Sequence, residues 1–132
     1  MNISSDAADS SPWPGLVPYA TAKVGLHSLT RTLAVELGPT DILSNALVLG
    51  VVLTERNRHL IPAEQVRQPP PTRRLITPED VAAAIVFRGS QVNRQITGKL
   101  VHITGGKLRT HPDYPATLPF TASRSSARLS AT

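Results

Sequence analysis

Two adjacent stretches decide the fold of this chain: PYATAKVGLHSLTRTLAVELGP at residues 18–39 and ILSNALVLGVVL at residues 42–53. Apolar residues in the first stretch recur at the spacing of one helix face, at Ala22, Leu26, Leu29, Leu33 and Leu37. Pro18 suits a first helical turn, where its missing N–H is not needed. Gly38-Pro39 is a strong stop signal, with glycine as the cap. The pattern therefore predicts a helix over residues 18–37.

The second stretch is a nearly continuous apolar run. Such a run is typical of a strand buried on both faces, as in a parallel sheet covered by helices. Elsewhere the sequence predicts a strand end at residues 2–5, a helix that starts at Thr77 and ends near Phe87 or Arg88, and a strand at residues 99–104. The four residues that begin this helix, Thr-Pro-Glu-Asp, supply a cap, a first-turn proline and acids near the positive end of the helix dipole.

Strands and helices thus alternate along the chain, which predicts an α/β fold with parallel pairing and right-handed crossovers. We expect part of a doubly wound parallel sheet over residues 1–106, incomplete because so few strands make a poor sheet. Residues 107–132 are rich in Pro, Ser, Thr and Arg without periodicity, so we predict a basic, disordered tail. A chain of 132 residues fits one domain at most.

The composition narrows the classes of function. The net charge is +5, but no aromatic residues interleave with the arginines as base stacking requires, so nucleic-acid binding is not expected. The absence of cysteine excludes disulfides and a cysteine nucleophile, and the histidines lack metal-ligand spacing, so no metal is expected. No apolar run reaches the ~18 residues of a membrane span, and no signal peptide is visible. We therefore expect a cytoplasmic protein without a membrane segment.

One pair of residues on the predicted helix can carry chemistry. Tyr19 and Lys23 are four residues apart, which places both side chains on one face about one turn apart. A nearby cation stabilises phenolate over phenol and so helps a tyrosine to exchange a proton near neutral pH. The pair alone is also compatible with a tyrosine that only packs and a lysine that only faces solvent.

Four further segments accompany this pair in a fixed order: NISS at residues 2–5, NALVLGVVLT at residues 45–54, TPEDVAAAI at residues 77–85 and ITGKLVHITGG at residues 96–106. Together with the tyrosine and the lysine, this set resembles the short-chain dehydrogenase/reductase family. The resemblance covers about residues 2–106. It implies the carboxyl-terminal half of a Rossmann-like domain, the half that holds the catalytic helix and the nicotinamide side of the site.

The resemblance also implies a function, which is NAD- or NADP-dependent oxidoreduction of a small alcohol or carbonyl compound. Tyr19 is implied as the general acid or base, and Lys23 as the residue that assists Tyr19 and holds the nicotinamide ribose. Ser5 is implied as the hydrogen-bond donor to the substrate oxygen. The neighbouring Ser4 is the alternative. The spacing from Ser5 to Tyr19 is one residue longer than is usual in the family, so the spacing alone does not fix the choice. The nicotinamide carboxamide is implied to contact Gly50, Val52 and Thr54.

The sequence departs from the family pattern at three places. Leu49 stands where the family usually has a proline that fixes φ, and Thr104 stands where an acidic residue is common. No Gly-rich turn joins a first strand to a helix, and Gly105-Gly106 opens no helix. We therefore expect the phosphate-binding half of the domain to lie before Met1.

These departures leave three hypotheses open. The first is a reductase whose remaining half is encoded upstream or on another chain. The second is an inactive remnant that only associates with itself or with a full-length relative. The helix over residues 18–37 resembles one that pairs across a dimer interface in the family, so we expect a homo-oligomer or association through this helix. The third hypothesis is a basic binding module.

Overall fold

A computed structural model describes residues 1–9, 14–61, 63, 67 and 69–107 of the chain. Its strands and helices follow the predicted order: β1 Asn2–Ser5, α1 Val17–Leu37, β2 Ala46–Leu49, α2 Pro78–Gly89 and β3 Leu100–Ile103. The predicted disordered tail lies outside the described residues, except for Lys107. No helix in the described part of the chain is long and apolar enough to cross a membrane.

The three strands form one parallel sheet in the order β1–β2–β3, which confirms the α/β class. β2 is the central strand, and all its residues except the last are fully buried. The apolar run at residues 42–53 therefore predicted the burial of this strand correctly, but the strand is shorter than the run. After Leu49 the backbone leaves the sheet, and Val52 forms only an isolated parallel bridge to Ile76.

Helix α1 has proline in its first turn and ends at Leu37 with Gly38 as its cap, as predicted. Gly38 does not adopt a left-handed conformation, because its φ is −52°. The chain instead tightens into a 3-10 turn over Gly38–Thr40, which Thr40 supports by a 2.8 Å hydrogen bond from its hydroxyl to the oxygen of Leu37. The left-handed residue is Asp41, with a φ of 59°.

The inner face of α1 is more polar than its apolar periodicity indicates. The buried residues of the helix are His27, Thr30 and Ala34, whereas Ala22 is exposed and Leu29 is 45% exposed. The reason is that β1 presents polar side chains to the helix. The side-chain amide of Asn2, for example, donates to the Thr30 hydroxyl at 2.9 Å.

Helix α2 begins with the predicted cap. The Thr77 hydroxyl accepts from the backbone N–H of Asp80, and the Asp80 carboxylate accepts from the backbone N–H of Thr77 at 2.9 Å, which completes a capping box. Arg74 also holds the Asp80 carboxylate through two hydrogen bonds, one of 2.7 Å. The side-chain hydrogen bond from Arg74 is the main reason that the pKa of Asp80 lies far below its usual range. The helix extends to Gly89, one or two residues beyond the prediction.

A buried asparagine fixes the amino edge of the sheet. The Asn45 side chain donates to the oxygen of Ile96 at 2.6 Å and accepts from the N–H of Lys99 at 3.1 Å. Gly98, which leads into β3, has a φ of 67°. These bonds attach the start of β3 to the start of β2, so the carboxyl ends of all three strands meet at the opposite edge.

Candidate active site

The first turns of α1 lie beside the carboxyl end of β1. The Lys23 ammonium donates to the backbone oxygen of Ile3 at 2.9 Å, while further along the helix Thr30 meets Asn2 near the beginning of the strand. The helix and the strand therefore run in opposite directions. Tyr19, one turn before Lys23, is thereby placed toward the edge of the sheet where ligands of open α/β sheets bind.

The tyrosine and the lysine lie on the same face, as their spacing predicted. The Lys23 Nζ atom is 5.6 Å from the centroid of the Tyr19 ring, which is within the range of a cation–π contact. The tyrosine is 45% exposed. The phenol can therefore be reached from solvent, while the ammonium stays next to its ring.

The two candidate serines differ in their surroundings, because successive side chains of a strand point to opposite faces. Ser4 is buried against α1, where its Oγ atom lies 2.8 Å from His27 Nε2 and 3.1 Å from the backbone oxygen of Lys23. Ser5 ends β1 and accepts a 3.3 Å hydrogen bond from the N–H of Ala7. That bond uses an oxygen lone pair of Ser5 and leaves its hydroxyl proton for donation.

The segment that follows β2 carries the residues implied in nicotinamide binding. The Gly50 N–H donates to the oxygen of Ile103 at 2.9 Å, and a Cβ atom at Gly50 would lie 3.2 Å from the side chain of Ile76 and 3.3 Å from the Cα atom of Thr104. A side chain at this position would therefore crowd both neighbours. Leu49, where the family usually has proline, still pairs within the sheet, in register with Ser5.

A residue that the sequence did not single out, Asn57, organises the rest of this segment. Its side-chain oxygen accepts from the N–H of Thr54 at 2.8 Å, and its side-chain amide donates to the oxygen of Val52 at 2.7 Å. The backbone N–H of Asn57 in turn donates to the Thr54 hydroxyl at 3.3 Å. Asn57 thus holds two of the predicted cofactor contacts, Val52 and Thr54, in one turn. The only signal in the sequence is an asparagine three residues after a threonine.

His27 is a titratable group buried within this arrangement, with 7% of the residue exposed. Burial is the main reason that the pKa of His27 is lowered, and the charges of Arg31 and His102 act in the same direction, while Asp9 opposes them. Asp9 also pairs with His102, at 3.5 Å between Oδ2 and Nε2. The described residues contain no group of three or more His, Cys, Asp or Glu side chains that could hold a metal ion.

Acidification is expected to destabilise the folded chain through His27. Because the pKa of His27 is lower in the folded chain than the ordinary value of about 6.5, the unfolded chain binds the proton more readily. The stability contributed by neutral His27 is therefore complete above about pH 6.5 and is lost as the pH falls through the lower folded-state pKa.

Urea unfolding at a series of pH values measures this effect. The replacement His27→Gln should flatten the dependence of unfolding free energy on pH, whereas His59→Gln, at an exposed histidine, should leave it unchanged. Parallel profiles for wild type and His27→Gln would contradict the assignment.

Comparison with known proteins identifies the class. Residues 1–107 match the family model described as Enoyl-(Acyl carrier protein) reductase, and the chain belongs to the short-chain dehydrogenase/reductase family. Human dehydrogenase/reductase SDR family member 4 is 39% identical over 108 residues, which cover 79% of this chain and 39% of that protein. The 3-oxoacyl-(acyl-carrier-protein) reductase FabG of Aquifex aeolicus is 36% identical over 96 residues, or 70% of this chain and 38% of that protein.

Solved structures of the family share the fold. A 3-ketoacyl-(acyl-carrier-protein) reductase from Brucella melitensis, complexed with NADH, superposes with a TM-score of 0.71 at 32% identity over 80% of this chain and 42% of that one. A 7α-hydroxysteroid dehydrogenase, complexed with NADH and 7-oxo glycochenodeoxycholic acid, gives 0.73 at 30% identity over 82% and 43%. This chain therefore has the Rossmann-like fold of the family. It spans about two fifths of the length of the curated relatives it matches.

Proposed function

We propose that this chain forms the catalytic and nicotinamide side of an NAD- or NADP-dependent oxidoreductase that acts on an alcohol or carbonyl compound. The observation that carries the proposal is the place of the Tyr19–Lys23 pair, which lies beside the carboxyl end of β1 with an accessible phenol and a 5.6 Å distance from the ammonium to the ring. Ser5 ends the same strand with a hydroxyl proton free to donate.

In the direction of carbonyl reduction, these residues stabilise and then neutralise the negative charge that develops on the substrate oxygen. A bound nicotinamide supplies the hydride that reduces the carbonyl carbon. The Ser5 hydroxyl donates a hydrogen bond to the carbonyl oxygen, and Tyr19 donates its proton to that oxygen, so that an alcohol and a tyrosinate result. The Lys23 ammonium stabilises the tyrosinate electrostatically. Alcohol oxidation uses the same groups in reverse, with the tyrosinate as base.

The described residues fit the nicotinamide end of such a cofactor. Lys23 uses one N–H for Ile3, and its two remaining protons can reach ribose hydroxyls. The Thr54 hydroxyl accepts from Asn57 and keeps its proton for a carboxamide oxygen. The described residues offer no Gly-rich turn that opens a helix, as a pyrophosphate requires. We therefore expect these 132 residues alone to bind either cofactor very weakly.

A comparison of two proteins tests this function. The first is the chain itself, and the second is a completed enzyme, in which the amino-terminal half of the human relative is joined ahead of Met1. Calorimetric titration with NADH and NADPH should detect binding only in the completed enzyme. That enzyme should then oxidise the reduced cofactor in the presence of a 3-oxoacyl thioester or an oxo-steroid, the compound classes named for two relatives.

Two results would count against the proposal. Micromolar binding of either cofactor by the chain alone would show that its residues hold the whole cofactor. A completed enzyme that folds and binds cofactor, yet reduces no carbonyl compound, would favour the inactive remnant.

We also propose that the chain associates through α1. Three valines that are seven or eleven residues apart, Val17, Val24 and Val35, are 72%, 48% and 78% exposed and share one side of the helix. Sedimentation at tens of micromolar should therefore give a mass above 14.1 kDa, and the double replacement of Val24 and Val35 by Asp should lower it. Val86→Asp, at an exposed valine of α2, is the control. A monomeric wild-type chain would contradict the proposal.

A further inference from the structure

One serine hydroxyl joins β1 to α1. Ser4 Oγ lies 2.8 Å from His27 Nε2 and 3.1 Å from the backbone oxygen of Lys23, and both Ser4 and His27 are buried. A hydroxyl donates one proton and can accept at its lone pairs, whereas a carbonyl oxygen can only accept. Both contacts are hydrogen bonds at once when the Ser4 proton goes to the Lys23 oxygen and His27 donates its Nε2–H to Ser4, and this is the His27 tautomer that we assign. We call this pair of hydrogen bonds the Ser4 bridge.

The Lys23 side chain closes the Ser4 bridge into a ring. Its ammonium donates to the backbone oxygen of Ile3, the residue just before Ser4, at 2.9 Å. Two hydrogen bonds of opposite direction thus link one helix residue to two successive residues of the strand. A lysine that is held both at its backbone oxygen and at the tip of its side chain keeps few of its rotamers.

We propose that Ser4 and His27 are positioning residues that hold the Lys23 ammonium beside the Tyr19 ring, a role that rests on the proposed function of that pair. His27 contributes because it donates a hydrogen bond to Ser4 and does not accept one. Because the ring nitrogen gives a proton to Ser4 Oγ, the hydroxyl cannot turn toward the ring and its own proton stays on the Lys23 oxygen. Ser4 is thereby assigned to the support of the site and not to the substrate oxygen.

Chemical labelling of the chain itself tests the position of Lys23. The sequence has three lysines, Lys23, Lys99 and Lys107, and the last two are exposed. Under limiting acetic anhydride, with mass spectrometry of the digested chain, Lys23 should be acetylated more slowly than Lys99. The replacement Ser4→Ala should raise the ratio of Lys23 to Lys99 labelling several-fold, and His27→Leu should raise it as well. Ser4→Thr keeps the hydroxyl and should restore the wild-type ratio.

A matched control separates positioning from general loosening of the fold. Thr30→Val removes another buried hydroxyl between the same strand and helix, the one that bonds Asn2, two turns away from Lys23. This variant should lower stability without changing the labelling ratio. An unchanged ratio in folded Ser4→Ala, or an equal rise in Thr30→Val, would overturn the proposal.

The tautomer of His27 provides a test that needs no replacement. Long-range ¹H–¹⁵N correlation spectra of the wild-type chain at neutral pH distinguish a proton on Nε2 from one on Nδ1. The Ser4 bridge requires the Nε2–H form, and the Nδ1–H form would overturn it. Neither this measurement nor the labelling depends on turnover, so an inactive completed enzyme would refute the proposed function and leave the Ser4 bridge standing.

Discussion

Phenylalanine in place of Tyr19 is expected to lower turnover by the completed enzyme ~10²–10⁴-fold, the usual contribution of a general acid or base. Phenylalanine keeps the ring beside Lys23 but has no proton to give to the substrate oxygen. Because the side chain is 45% exposed, the loss of the hydroxyl should cost little stability. Steady-state rates at saturating cofactor, together with thermal melts, measure both quantities.

The other tyrosine of the chain gives a matched control. The sequence contains only Tyr19 and Tyr114, so Tyr114→Phe makes the same chemical change outside the implied site and should leave turnover unaffected. Lys23→Met, which keeps a long side chain but removes the charge, should lower turnover and also raise the KM for the cofactor. Tyr19→Phe with turnover near that of wild type would mean that the tyrosine only packs against its neighbours.

Truncation of Leu47 to alanine is expected to destabilise the chain by about 2–5 kcal/mol, the range found for large-to-small replacements in a core. Leu47 is fully buried in the middle of β2, with a strand on each side, so the cavity has little room to collapse. Native stability is commonly only about 5–15 kcal/mol. The variant should therefore unfold at a much lower urea concentration or fail to fold.

Leu29→Ala is the control for this change. Leu29 lies in the apolar pattern of α1 but is 45% exposed, and alanine has a high helix propensity, so its replacement should cost less than about 1 kcal/mol. Urea titrations followed by circular dichroism compare the two variants. If the two variants lost equal amounts of unfolding free energy, the helix periodicity would identify the core better than the burial seen in the structure.

The difference between these two leucines shows how far periodicity predicts the fold. The apolar run predicted β2 correctly because both faces of this strand are covered. Such a strand is apolar whichever elements pack against it. The face of α1 depends on what β1 presents, and Asn2 and Ser4 meet Thr30 and His27 there. The apolar periodicity of one segment does not tell which residues of another segment pack against it.

For the candidate site, too, the sequence predicted some features and not others. The i, i+4 spacing within a helix was enough to bring Tyr19 and Lys23 together. The different surroundings of Ser4 and Ser5 depend on the face of the strand, which the sequence alone does not give. The contacts of Asn57 depend on the turn that folds it back on Thr54. The end of α1 at Leu37 could be predicted from Gly38-Pro39. The conformation after it could not, because glycine permits a left-handed conformation but does not impose one, and here the left-handed residue is Asp41.

The parallel sheet has a consequence for the speed of folding. Asn2 pairs with Ala46, and Ala46 with Leu100, so each neighbouring pair of strands is joined by forty or more residues of chain. The entropy of closing such loops must be overcome before any ladder hydrogen bond forms, and no hairpin between these strands can nucleate the sheet locally. Among the described residues both outer strands pair only with β2, so neither ladder can form until β2 is in place between them.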